Sequence, residues 1–137
     1  MKTVEKVIFQ WNNVGVELNE GASQEDIEQF EIELDFRFED DFKTYLFIAN
    51  GFKDYASDDD LFSFWSLDRI KTELLHPHPD QLICFADYCI CLSNFGFNRE
   101  DGKIYSFFEH HTKLYLVAEN FQDLLETYIK NSDDLIR

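Results

Sequence analysis

Residues 21–51 read GASQEDIEQFEIELDFRFEDDFKTYLFIANG and contain two successive helical patterns followed by a stop signal. Ser23 can cap the first helix, because Asp26 follows it by three residues in the manner of a capping box. Apolar residues then recur at helical spacing, and they are Ile27, Phe30 and Leu34, followed by Phe42, Tyr45, Leu46 and Ala49. Asn50-Gly51 is a typical C-terminal stop, since both residues tolerate the left-handed conformation. The stretch therefore predicts helices over 24–34 and 40–50.

Three more helices are predicted outside this stretch. An apolar stripe at helical spacing, which ends at Trp11, predicts a helix over 3–13. Ser66 can cap a brief helix over 67–75, and Asn120 can cap a closing helix over 120–131.

The region between residues 61 and 118 has the short aromatic and β-branched runs of strands. The predicted strands are Leu61–Trp65, Leu82–Phe85, Tyr88–Ser93, Lys103–Phe108 and Lys113–Ala118. Ala86-Asp87 and residues 94–102 are expected to be the loops that separate the middle ones. The order of elements predicts one α+β domain over residues 1–137, with N-terminal helices, a central antiparallel sheet of about four to six strands and a C-terminal helix packed on the sheet.

The charge of the chain is strongly negative. It has 28 Asp and Glu against 12 Lys and Arg among 137 residues, which gives a formal net charge of −16. Many of these acids lie between Glu17 and Asp60, where only Arg37, Lys43 and Lys53 oppose them. Such a field repels phosphate backbones and anionic membranes, so nucleic acid and membrane are not expected partners. It attracts cationic proteins, although an acidic surface that serves solubility alone would look the same.

The cysteines and the N-terminus predict a cytoplasmic protein. Cys84, Cys89 and Cys91 are odd in number and lack the spacing of a disulfide framework, so we expect three buried free thiols in strands. Residues 1–11 contain charges and no continuous apolar run, so they are not expected to be a signal peptide. No segment has 18 consecutive apolar residues, as a membrane span requires.

Several short motifs occur in a fixed order along residues 21–130. They are Ile27 with Phe30-Glu31, then Asp41-Phe42-Lys43 with Tyr45-Leu46, Asn50-Gly51, Phe85-Ala86-Asp87, Gly102-Lys103-Ile104-Tyr105 and Val117-Ala118-Glu119-Asn120-Phe121. This ordered set resembles the SUKH superfamily, which contains yeast cell-wall-assembly regulators and many bacterial immunity proteins. The chain departs from the pattern at Asp35, Glu39 and Asn120, which are turn and capping positions.

The resemblance implies a binding function. Bacterial members of this kind neutralise toxins, often nucleases, of polymorphic or contact-dependent systems, whereas eukaryotic members act as regulatory scaffolds. Together with the charge, it leads to the hypothesis of an immunity protein that occludes a basic, nuclease-type cognate toxin. The alternative is a regulatory protein-interaction scaffold without a toxin partner. We expect a monomer or weak homodimer.

No residue pattern predicts catalysis, a metal or a cofactor. The four histidines occur as His76-Pro77-His78 and His110-His111, spacings that do not place two imidazoles on one helix face. The chain has no nucleophile elbow and no glycine-rich phosphate loop. An enzyme is therefore not expected.

Acidic loops are the expected contacts for a basic partner, because rim charges steer the encounter of two proteins. The first candidates are Asp54, Asp58, Asp59 and Asp60, followed by Asp87, Glu100 and Asp101. Trp65 is the candidate aromatic contact on the sheet.

Overall fold

A five-stranded antiparallel meander, whose strands are neighbours in chain order, forms the centre of the fold in the computed structural model, which describes residues 2–136. Its strands are β3 (Phe62–Phe64), β4 (Leu82–Tyr88), β5 (Ser93–Asn98), β6 (Ile104–Phe108) and β7 (Tyr115–Ala118). A separate two-stranded sheet pairs β1 (Leu18–Glu20) with β2 (Ala49–Phe52). The predicted α+β class and antiparallel sheet are confirmed.

Within residues 2–136, five helices pack around the strands, and each was expected from the sequence. They are α1 (Thr3–Asn13), α2 (Gln24–Leu34), α3 (Asp40–Ile48), α4 (Leu67–Glu73) and α5 (Phe121–Asn131), with short 3₁₀ turns at Lys53–Tyr55 and Ser132–Ile136. Side chains of Ser23, Ser66 and Asn120 accept the predicted capping bonds from backbone N–H groups three residues later. None of the helices within residues 2–136 is long and apolar enough to cross a bilayer.

The core lies between the sheet and helices α1, α3 and α5. The ring of Phe42 on α3 is its centre, with centroids 5.3 Å from Phe85, 5.0 Å from Phe97 and 5.0 Å from Phe121. Helix α4 contacts the sheet at β4. Phe62, Ser63, Phe64 and Trp65 are all buried, so β3 is covered on both faces.

Asn50-Gly51 does more than end α3. The helix stops at Ile48, earlier than expected, because the following residues form β2 and pair with β1. Gly51 has φ +74°, and a Cβ there would lie 2.3 Å from the backbone nitrogen of Ser66. The side chain of Asn50 accepts the Leu67 N–H at 2.9 Å. The pair thus joins two segments at a close backbone approach that only glycine permits.

The predicted break at Ala86-Asp87 is wrong. Strand β4 continues through both residues to Tyr88, and β5 occupies residues 93–98, of which 94–98 were expected to lie in a loop. The turn lies instead at residues 89–92. Cys89 and Cys91 are therefore half-buried turn residues rather than strand residues, and Cys84 alone of the three is buried in a strand.

Candidate functional site

The segment 54–60 that was predicted to dock a basic partner contains acids in two different roles. Asp54, Asp59 and Asp60 are exposed, whereas Asp58 is half-buried. The Asp58 Oδ1 atom accepts N–H bonds from Asp60 and Phe62, each at 2.9 Å. Asp58 therefore fixes the course of the loop, and it is not a free surface charge.

Asp58 also joins the loop to two helices. Its Oδ2 atom accepts a short hydrogen bond from the hydroxyl of Tyr128 on α5, and that hydroxyl accepts a bond from the Trp11 Nε1–H at 2.7 Å. Burial raises the pKa of the Asp58 carboxyl, and the bonds from Tyr128 and the backbone oppose part of that rise. Burial and the Asp58 contact raise the pKa of the Tyr128 hydroxyl as well. Asp58 is therefore half-buried and engaged in hydrogen bonds, although most of the loop around it is exposed.

Two of the exposed acids, Asp59 and Asp60, border a groove of about 350 Å³ beside α5, whereas Asp54 does not line it. Its lining includes Asp58, Asp59 and Asp60 from the loop and Lys130 and Asp133 from α5 and the turn after it. Among the described residues, four carboxylates and one lysine thus line a concave surface, and the Asp58 carboxylate is already engaged in hydrogen bonds. The groove is concave and negatively charged, so it can accept cationic side chains.

Asp87 and Trp65 lie inside the protein, not on a surface. Both are 2% exposed. The Asp87 Oδ2 atom accepts the Trp65 Nε1–H at 2.7 Å and the Arg69 Nη2–H at 2.9 Å. The Arg69 guanidinium lies over the Tyr55 ring at 4.4 Å and the Trp65 ring at 4.9 Å from their centroids. Trp65, Arg69 and Asp87 thus form a hydrogen-bonded interior group. Because Asp87 and Trp65 are buried in it, neither is an exposed contact.

Glu100 and Asp101 lie in the β5–β6 turn, at the end of the sheet opposite to the β4–β5 turn and the start of β3. Asp101 accepts the Tyr105 hydroxyl at 2.6 Å and the Lys103 N–H at 2.9 Å, and the Tyr105 bond lowers the pKa of its carboxyl. The structure therefore separates these two acids from the acidic groove.

A second and larger groove, of about 770 Å³, lies on the sheet face next to α4. Trp65, Cys84 and Phe107 contribute to its lining, and all four histidines lie along it. Two of these histidines come from the segment after α4 and two from the turn after β6, so no local spacing predicted that they meet.

The polar groups of this groove do not form a metal centre or an activated nucleophile. Within residues 2–136, no group of three or more His, Cys, Asp or Glu side chains can hold a metal ion. Burial raises the pKa of the Cys84 thiol, and burial raises that of Cys91 to about 11. A thiol with a raised pKa is mostly protonated at neutral pH and is a weak nucleophile.

The residues that carry the family motifs have structural roles. Glu31 accepts the Phe38 N–H at 2.7 Å and pairs with Lys43 at 3.4 Å. Glu39, which departs from the motif, accepts the Phe121 N–H at 2.5 Å and so ties the start of α3 to the start of α5. Burial raises the pKa of the Glu39 carboxyl. These residues explain the fold more directly than they explain a function.

A comparison with protein families gives a match. A family model described as SMI1 / KNR4 family (SUKH-1) matches residues 21–127, which include α2 to α4, the first part of α5 and every strand except β1. No curated protein matches the chain significantly.

Proposed function

The chain belongs to the SMI1 / KNR4 family (SUKH-1), and from that premise we propose that it is a non-catalytic immunity protein. Its partner would be a basic, nuclease-type toxin of a bacterial polymorphic or contact-dependent toxin system. The observation that carries this proposal is the acidic groove between Asp58–Asp60 and Asp133 on a chain with a net charge of −16.

Neutralisation would work by occlusion. A nuclease cleft is basic because it holds phosphate groups, and an acidic protein surface can occupy it in their place. Oppositely charged surfaces also associate faster than neutral ones, which favours capture of a toxin before it cleaves its substrate. The chain needs no cofactor for this, and the raised pKa values of Cys84 and Cys91 support a role without covalent chemistry. Action in the cytoplasm, as a monomer or weak homodimer, belongs to the same proposal.

A regulatory scaffold is the second candidate, and the groove on the sheet face favours it. Its volume of about 770 Å³ is enough for a segment of another protein, and it lies on a different face from the acidic groove. A scaffold would bind host proteins through this groove, with no toxin encoded beside it.

The test uses the toxin domain encoded immediately upstream of the chain's own gene as the probe. We expect the purified chain to bind this domain one to one and to abolish its nuclease activity. The double variant Asp59→Asn/Asp60→Asn should associate more slowly, because two charges about 10 Å from a partner charge are together worth about 0.8 kcal/mol in water, or about fourfold in rate at low salt. The difference should shrink at physiological salt, since screening acts over about 8 Å there.

The matched control is Glu25→Gln/Glu28→Gln, which removes two exposed charges from α2. It should associate at nearly the wild-type rate. An upstream gene that encodes no toxin, or a toxin domain that the wild-type chain neither binds nor inhibits, would refute the immunity function. Equal rates for the two double variants would show that the acidic groove is not the docking surface.

A further inference from the structure

Three aliphatic side chains form an exposed tip at one end of the sheet. Ile90 is 93% exposed, Leu92 is 49% exposed and Leu61 is 45% exposed. Leu61 precedes β3 and the other two lie in the β4–β5 turn, and the Cys89 N–H donates to the Leu61 carbonyl at 2.9 Å. We call Leu61, Ile90 and Leu92 the apolar tip.

The backbone of this tip is strained. Cys89, Ile90 and Cys91 have φ values of 53°, 53° and 64°, and Leu61 has 73°. A β-branched residue at positive φ is an outlier, because its side chain crowds the backbone there. Ile90 gains little from burial within its own chain. Folding therefore gives no reason for an isoleucine at this position, whereas contact with another molecule does.

Several contacts hold the strained turn in one conformation. The Asp87 carboxylate accepts the Cys91 N–H at 3.2 Å, and the Asn94 amide donates to the Cys91 carbonyl at 3.0 Å. On the other side, the Glu109 N–H donates to the Leu92 carbonyl at 3.0 Å. Since Asp87 is itself held by Arg69 and Trp65, the turn is braced from the interior. A braced turn loses little conformational entropy when a partner binds it.

Acidic residues border the tip in sequence and space. Asp59 and Asp60 directly precede Leu61, and Glu109 lies beside Leu92, whose carbonyl accepts the Glu109 backbone N–H. An apolar centre with a charged rim is the usual anatomy of a protein interface, in which a few central side chains carry most of the binding free energy. The charge of this rim is complementary to a basic surface.

From these observations we infer that the apolar tip is the anchor of the docking surface, and that Ile90 inserts into an apolar pocket bordered by Lys or Arg on the partner. The inference rests on the proposed function, because the basic partner is the toxin named there. It deepens that proposal, because the apolar tip supplies most of the binding free energy and the adjacent acids increase the association rate.

The test is Ile90→Asn, measured against the upstream-encoded toxin domain. We expect binding to weaken at least tenfold, chiefly through faster dissociation, as is usual when an anchor is lost. The melting temperature should stay the same or rise, because asparagine tolerates positive φ better than isoleucine does. Ile90→Gly, which fits the turn without strain, should lose affinity to a similar extent. Loss of binding without loss of stability is a result that a merely structural role of Ile90 would not produce.

The control is Ile32→Asn, which removes an aliphatic side chain that is 73% exposed on α2. It should bind like wild type. If Ile90→Asn and Ile90→Gly keep the wild-type dissociation constant while the wild-type chain binds, this inference is overturned and the proposed function stands. If the wild-type chain does not bind the toxin domain, both are overturned.

Discussion

Replacement of Asp58 by alanine should destabilise the protein far more than replacement of its neighbour Asp59. The change removes the acceptor for the Tyr128 hydroxyl and for the Phe62 N–H, while the Asp60 N–H is exposed and can turn to water. A buried donor left without an acceptor costs about 1–3 kcal/mol, so the two together predict a loss of about 2–6 kcal/mol. For a chain of this length, that loss lowers the melting temperature by about 7–20 °C.

The assay is urea unfolding of wild type, Asp58→Ala, Asp58→Asn and Asp59→Ala at pH 7. Asp58→Asn retains one carbonyl oxygen as an acceptor, so it should lose less, about 1–2 kcal/mol. Asp59 is exposed, and its alanine variant should lie within about 0.5 kcal/mol of wild type. If Asp58→Ala and Asp59→Ala unfold at the same urea concentration, the hydrogen bonds described for Asp58 do not hold the loop.

Two further predictions concern the buried acids. Arg69→Ala leaves the Asp87 carboxylate buried without its cation and should lower the free energy of unfolding in urea by about 3–5 kcal/mol. The control Lys71→Ala, an exposed change on the same helix, should lower it by about 1 kcal/mol or less. Equal losses would contradict the role of the Arg69–Asp87 pair. Burial raises the folded-state pKa of Asp58 and of Glu39 above the unfolded value of about 4, so the protonated forms favour folding and their contribution is lost as the pH rises through the folded pKa values. The contribution of these two groups to stability should therefore increase as the pH falls through their folded pKa values. The increase should be smaller in Asp58→Asn than in wild type, and an identical pH dependence of unfolding in the two proteins would contradict the assignment.

The helices were predictable because their signals are local. Ser23, Ser66 and Asn120 each accept the backbone bond that their position in the sequence indicated. The same holds for the apolar stripe of α1, whose last buried member is Trp11. A cap or a stripe depends on residues three or four positions apart, so a single sequence is enough to find it.

The β4–β5 turn was not predictable, because its cause is not local. Ala86-Asp87 has the composition of a turn, yet Arg69 and Trp65, about 20 residues earlier, supply partners that let Asp87 stay inside a strand. The real turn at 89–92 contains no glycine or asparagine, and so it has no turn signal of its own. Tertiary contacts therefore determine both that Ala86-Asp87 lies in a strand and that the turn lies at residues 89–92.

The negative charge of the candidate site was predictable from the sequence, but the roles of its individual residues were not. Composition located the acids of segment 54–60, but it could not separate Asp58, which bonds to Tyr128 seventy residues later, from the exposed Asp59 and Asp60. It also could not place Glu100 and Asp101 at the far end of the sheet. The apolar tip carried no signal, since an apolar residue in a predicted strand is expected to be buried.

The buried ion pair of Arg69 and Asp87 is better explained by its support of the β4–β5 turn than by a contribution to the stability of the fold. A buried ion pair replaced by apolar residues of similar volume is often as stable or more so. Such a replacement here would leave the Trp65 Nε1–H and the Cys91 N–H without the carboxylate that accepts both. Since Cys91 is one of three successive residues at positive φ, the loss would fall on the strained turn itself. The buried Asp87 carboxylate and the exposed Ile90 side chain are thus linked. The carboxylate, whose burial costs free energy, holds the turn that presents the isoleucine to solvent.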